Sequence, residues 1–451
     1  MVGIAVLATL IAVIYTEEDW RGRRAWENCK RELEAKGAVL DWDKYIPPTV
    51  PDDRNFFKAP KMADWFVRGH NGTELQDLLQ NSNTVSVITN ETAANDYLAW
   101  SDKLQPQFDL IREALKRPYA RMDGDYSKPF EQPIPNFISV RIVTKTLAQR
   151  AKCDLLLGQP DKALQELTLL HDFLHLVEAA PTGKPMTLVS AMINVAVTGF
   201  YVDTIAGGLQ SRAWQEPQLA ALQKQLADIN LTPFVAQAFR EEQVGICRDA
   251  EVVPLLKLFS LADSRPESWF AKVIDWLWPR GWTYQNMVNI AVLDQKSIDG
   301  FDLAQNTVAP RKFEEAWREI EEFDKSVNYS SPYKILAAIA IPNFVRAEQT
   351  TAHTQTLVNA AQIACALERY HLAHCEYPAT FDALTPQFLE KIPHDIIGGQ
   401  PLHYRRTDDG KFVLYSVGWN ETDDGGVDSS QVKSDKGTFA EGDWVWRYPA
   451  Q

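Results

Sequence analysis

Cysteine is scarce in this chain: Cys29, Cys153, Cys247, Cys365 and Cys375 are five in 451 residues. That excludes a disulfide-stapled scaffold, and the absence of any CxxC removes a zinc ribbon or a thioredoxin-like redox motif. Only Cys365 and Cys375 are near neighbours, and the sequence leaves open whether they pair across a helix end or stand as independent thiols. Positive charge is short as well, with 46 Lys and Arg against 60 Asp and Glu for a net charge of -14. Phosphate-rich partners need clustered cations, so this balance disfavours nucleic acid and anionic lipid surfaces as partners, and no nucleic acid is expected. No glycine-rich phosphate loop, GxGxxG or GxSxG occurs, which takes away the usual marks of nucleotide and hydrolase chemistry.

Length and apolar content are ample. At 451 residues and 45% hydrophobic, the chain exceeds the size at which one core usually stops growing, so two or three folded units are expected. It opens on an uncharged run, Val2 to Tyr15, shorter than the roughly 20 residues of a spanning helix. No small-residue cleavage site precedes Thr16, so residues 1–15 read as a retained membrane anchor. An upstream start would lengthen the span and supply a basic flank. Arg21, Arg23 and Arg24 follow the run, and by the positive-inside rule they pull the body toward the cytoplasm. Charge alone therefore leaves the orientation open.

Residues 16–96 read as a polar helix, Glu17 to Lys36, ended by Gly37, followed by a strap. Its core, "YIPPTVPDDRNFFKAP", has four prolines in sixteen residues, which denies a helix interior and predicts extended chain laid over a neighbour. Residues 97–330 read as a helical domain. Val140, Ile142, Val143, Leu147, Ala151, Leu155 and Leu156 recur at three-to-four spacing, Gly158 ends that helix, and "QPDKALQELTLLHDFLHLVEA" starts the next. The pair resembles one hairpin of a tetratricopeptide-type repeat, but no second copy follows, so an irregular helical array is expected. Trp269, Trp276, Trp278 and Trp282, in "WFAKVIDWLWPRGW", fit either a lipid surface or packing between helices.

Residues 331–451 change character. "KILAAIAIPNFVRA", Lys334 to Ala347, starts a long helix running from Tyr333 to about Leu372, kinked where Pro342 removes a backbone bond. Leu357, Ala360, Ala361, Ala364 and Leu367 mark its apolar face. Strands follow at Leu402 to Arg406 and Lys411 to Val417 around a turn at Asp408-Asp409-Gly410, and a third lies in "GDWVWRYP". The expected fold is mainly α: an anchor helix, an irregular helical array, then an α+β unit of long helix and small antiparallel sheet.

The quoted helix start, "ALERYHLAHCEYPATFDAL" and "FVLYSVGWNETDDGG" resemble, in that order, the helix and carboxy-terminal sheet of type IV pilins and the type II secretion major pseudopilin. The remainder resembles envelope-anchored helical proteins of Verrucomicrobia and Planctomycetes. Two departures stand out. "EEFDKSVNYSSPYK" replaces the leader, its glycine and the Phe-Thr-Leu-Ile-Glu-like start, so a prepilin peptidase has nothing to cut. The unit is therefore expected to stay out of a pilus and pack its helix on the central helices. In the major pseudopilin the loop after the Leu-Tyr-Ser strand binds calcium. Here Leu414, Tyr415, Ser416 and Gly418 match the strand, and the resemblance implies Asn420, Asp423, Asp424 and Asp428 as oxygen donors, with Asp443 closing the site.

Two other clusters compete. His171 and His175 in "HDFLH" stand at i and i+4, the spacing of a zinc protease helix, with Asp172 where that motif has Glu; satisfied core or surface histidines have the same pattern. His371, His374 and Cys375 gather where a helix end is expected, as a soft-metal set, a Cys–His pair or a plain turn. The reading that follows is a non-catalytic, membrane-anchored envelope protein, extracytoplasmic in its bulk, with an envelope protein as partner. The alternative is a metal-dependent hydrolase with its site in the helical domain.

Overall fold

The computed structural model of the chain describes residues 2–69, 75, 88, 90–177, 187–253, 277–328, 330–341, 345–427 and 441–446. It is mainly helical with small antiparallel sheets, as the sequence pattern predicts. The run expected as an anchor and the polar helix are one element, α1 (Val2–Ala35). It stops at Gly37, which takes φ 94° while Ala38 N–H reaches Leu33 O and Gly37 N–H reaches Glu34 O. That pair of bonds satisfies the last carbonyls, and the left-handed residue between them favours glycine.

The proline-rich strap is not simply extended. It winds through three short 3-10 turns, Trp42–Lys44, Asp52–Arg54 and Phe56–Lys58, because Asp41 and Asn55 cap the first and third through their side chains. It is nevertheless laid over a neighbour. The Asn55 side chain donates to Arg121 O and accepts from Arg121 N–H, and Phe56 is fully buried.

Next come α2 (Glu91–Ser101), α3 (Gln105–Leu115), α4 (Phe137–Leu156) and α5 (Pro160–Val177). The α4–α5 turn is the one the sequence marks: Gly158 takes φ 67° and Gln159 N–H returns to Asp154 O. Arg150 of α4 clamps this hairpin to α2. Its guanidinium donates to Glu166 at 2.9 Å, to the Ser101 hydroxyl at 2.7 Å and to Asp102 at 2.8 Å.

The array continues with α6 (Leu188–Gln210), α7 (Glu216–Ala227), α8 (Leu231–Val252), α9 (Arg280–Ile298) and α10 (Pro310–Lys325). Between α9 and α10 lies a two-stranded hairpin the sequence reading missed, β1 (Phe301–Asp302) and β2 (Thr307–Val308). Strands this short have too few residues to express a period of two. Trp269 and Trp276 lie outside the described residues; Trp278 and Trp282 make an edge-on pair at 5.2 Å.

The expected long kinked helix is two helices, α11 (Pro332–Ala340) and α12 (Val345–His374), separated at Ile341. Pro342, read as the kink, lies outside the described residues. α11 packs on α9, where buried Asn286 donates to Pro332 O and accepts from Ala337 N–H. α12 is buried on more than one stripe: Ala352, Val358, Ala361, Ile363, Cys365 and Ala366 are all enclosed. Its alanines let α6 and α7 approach on one side and the sheet on the other. That sheet has the order β3 (His403–Arg406), β4 (Phe412–Ser416), β5 (Trp444–Trp446), antiparallel throughout, with Arg406 opposite Phe412 and Ser416 opposite Trp444. Trp444 and Trp446 are buried and Val445 is half-buried, the alternation read from the sequence.

Candidate functional site

Three places carry the functional expectations. The first is the loop after β4. Gly418 opens it at φ 69°, and a Cβ there would overlap the Gly442 carbonyl, so the two ends of the loop close on a backbone contact. Gly425 and Gly426, both at positive φ, then turn amides inward. Asp443 accepts two amides of this loop, its Oδ1 from Asp424 N–H at 3.2 Å and its Oδ2 from Gly426 N–H at 2.6 Å. Burial still holds the Asp443 carboxyl above its usual range. Asp423 accepts from Gly425 N–H at 2.9 Å and from the Tyr415 hydroxyl at 3.1 Å, and its carboxyl is held below the usual range. Asn420 donates to Asp424.

The loop thus brings Asn420, Asp423, Asp424 and Asp443 together, while Asp428 lies outside the described residues. As placed, these groups serve each other and the backbone. Among the described residues no group of three or more His, Cys, Asp or Glu side chains is arranged to hold a metal. A calcium cage needs six to eight convergent oxygens, and Asp428, one of the five expected donors, is not among the four residues placed here.

The second place holds the histidines. His171 is buried in α5 and gives Nε2 to Gln225 O at 3.1 Å. A carbonyl can only accept, so that nitrogen carries a proton and offers no lone pair to zinc. The His175 side chain lies outside the described residues. At the end of α12, His374 gives Nδ1 to Tyr370 O and stacks on Tyr370, while His371 packs on Tyr377. Cys375 is exposed at the left-handed position that ends the helix, φ 61°. Cys365 is a free thiol sealed in the core, and burial pushes it up to about 12. The two cysteines do not pair.

The third place is the amino-terminal half of α1. Residues 3–7 and 9–14 are exposed on every face of the helix, Ile4 to 75%. At Tyr15 the body begins, the tyrosine hydroxyl donating to Leu277 O. Asp19 then accepts from Gly281 N–H at 2.7 Å, giving the first turn of α9 a carboxylate cap. Gly22 and Gly281 meet so closely that a Cβ on either would enter the other helix's backbone. Sequence reading noticed neither glycine; an uncapped Gly inside a charged helix, Gly22, was the available signal. Among the described residues the one helix long and apolar enough to cross a membrane is α6, most of it buried in the core.

No family model, no curated protein and no solved structure matches this chain.

Proposed function

We propose that this chain is a membrane-anchored envelope protein without a catalytic role, whose helical body and carboxy-terminal α+β unit present binding surfaces. The observation behind this reading is the apolar half of α1, which stands clear of the body with every described face open to solvent. A helix that is apolar all round needs an apolar surrounding, and no other part of the described chain covers it. At 1.5 Å per residue the run from Val2 to Tyr15 reaches about 20 Å, against a hydrocarbon core of about 30 Å, so it enters a leaflet deeply. The body lies outside the cytoplasm in this reading, with an envelope protein as its partner.

Two measurements test it. Carbonate-washed membranes from cells making the full chain should retain the protein, and Leu7→Asp with Leu10→Asp should release it. Alkaline phosphatase fused after Gln451 should be active. Wild-type protein recovered wholly in the wash would end the anchor reading; an inactive fusion beside an active cytoplasmic reporter would reverse the topology.

A further inference from the structure

Immediately below the exposed apolar run, α1, α9 and α11 enclose an open groove of about 560 Å³. Arg21, Arg24 and Lys334 supply its cations, Trp20 and Tyr333 its aromatic walls, and Asn28, Gln285 and Asn289 its amides; no carboxylate is among the described lining residues. We propose that this groove binds the phosphodiester headgroup of an anionic phospholipid. The inference rests on the membrane reading of α1, which places the groove at headgroup depth.

Geometry argues for that depth. Trp20 is six residues beyond Ile14 in the same helix, which is about 9 Å along the axis, within the interfacial zone of a bilayer. Side chains on a helix lean toward its amino terminus, so Arg21 and Arg24 reach back toward the apolar run. Arg24 lies over the exposed Trp20 ring at 5.3 Å. Tyr15 and Trp278, bonded to Leu277 O and Thr283 respectively, extend the aromatic girdle around the base of the helix.

The charges argue for an anion. Glu18 borders it; it pairs with Arg21 at 3.1 Å and accepts from Gln285. Arg23 is taken by Glu27 on the far side. Lys334 donates to the Ser326 hydroxyl and sits over Phe323, both neutral partners. The chain as a whole is acidic, at -14, and its surface at large is repelled by anionic lipid. Among the described residues affinity is assigned to this concave cluster, where Arg24 gives forked hydrogen bonds to phosphate oxygens and Arg21 shares its fork with Glu18. The same arginines, held against the folded body by lipid, need not report a cytoplasmic side.

The test is flotation of the purified full chain with vesicles of phosphatidylcholine alone or with phosphatidylglycerol added. Wild type is expected on both, with partition onto the anionic vesicles about tenfold stronger. Arg24→Ala with Lys334→Ala should lose that increment and still float on phosphatidylcholine like wild type, and Arg23→Ala should keep it. Equal partition of wild type on both compositions would overturn the headgroup site and leave the anchor standing. So would loss of the increment in Arg23→Ala, which would make the effect diffuse charge. Absence from both vesicle types would sink the anchor reading and this inference together. Millimolar inorganic phosphate at matched ionic strength should leave the increment in place; complete displacement would assign the groove to a free phosphate ester instead.

Discussion

Glu348 of α12 and Asp294 of α9 are enclosed carboxyls, Glu348 within reach of the Ser297 hydroxyl one turn beyond Asp294, and Asp294 near Glu242 of α8. Burial pushes each of them up to about 8. The folded chain therefore keeps two protons that the unfolded chain releases near pH 4. Their contribution to stability is fully present below that pH and is lost as pH rises through about 8, at up to about 1.4 kcal/mol per unit for each group. Glu348→Gln, which keeps a hydrogen-bonding side chain without the charge, should raise stability by about 1–3 kcal/mol at pH 8 and change little at pH 5. Urea unfolding at the two pH values reads this directly; an equal effect at both would detach Glu348 from the pH dependence.

Arg150 poses the opposite electrostatic problem, a buried cation answered by Glu166, Asp102 and Ser101. Removing one partner leaves the other charged in a low dielectric, which is worse than never having had the pair. Glu166→Ala should cost about 3 kcal/mol or more in chemical denaturation. Glu166→Gln should cost less, and a loss under 1 kcal/mol in the alanine variant would mean that water reaches Arg150.

Among the elements, α1 and the β4–β5 loop show why some parts were readable from residues and others were not. The helix–turn–helix of α4 and α5 declares itself because period, glycine and proline all agree at one place, and β3, β4 and β5 because alternation survives over each strand. The break between α11 and α12 was legible only as a proline. The two-residue strands β1 and β2 leave no periodic trace, and Gly22 finds its partner Gly281 at a separation no local pattern encodes. That crossing yields a test: Gly22→Leu should force α1 off α9, exposing the α1 segment near Asp19 to limited proteolysis and lowering the melting temperature. Unchanged cleavage would show that α1 docks without the close approach.

The acidic loop teaches a similar lesson, since composition announced the carboxylates but not that Asp443 would be spent on the amides of Asp424 and Gly426. Asp443→Ala should therefore destabilise by about 1–3 kcal/mol whether calcium or chelator is present. A melting temperature of wild type that rises with millimolar calcium would support the expected ion in this loop.

At the scale of the whole molecule, the expected boundary near residue 330 is crossed by one hydrophobic cluster that takes in Leu222 and Phe239 as well as Leu414, Trp419 and Trp444. Polar bonds cross it too. Arg369 grips Glu216 at 2.8 Å and reaches Gln223, Gln223 donates to Phe388 O, and Leu231 N–H is taken by the Gln355 side chain. From the other direction Phe313 of α10 stacks on Trp419 at 5.8 Å, and Val308 N–H bonds Ile396 O. A core shared in this way cannot lose one half without exposing apolar surface on the other, and that coupling is the physical basis of cooperative unfolding. The helical body and the α+β unit should therefore melt together. Calorimetry of the full chain, followed in parallel by tryptophan fluorescence and far-ultraviolet circular dichroism, is expected to give one coincident transition. Trp419→Ala, which empties the seam between Phe313 and the sheet, should lower that single transition by an amount equivalent to about 3–5 kcal/mol without splitting it. Two separated transitions in the wild type would show that residues 331–451 hold their structure independently of the body they pack against.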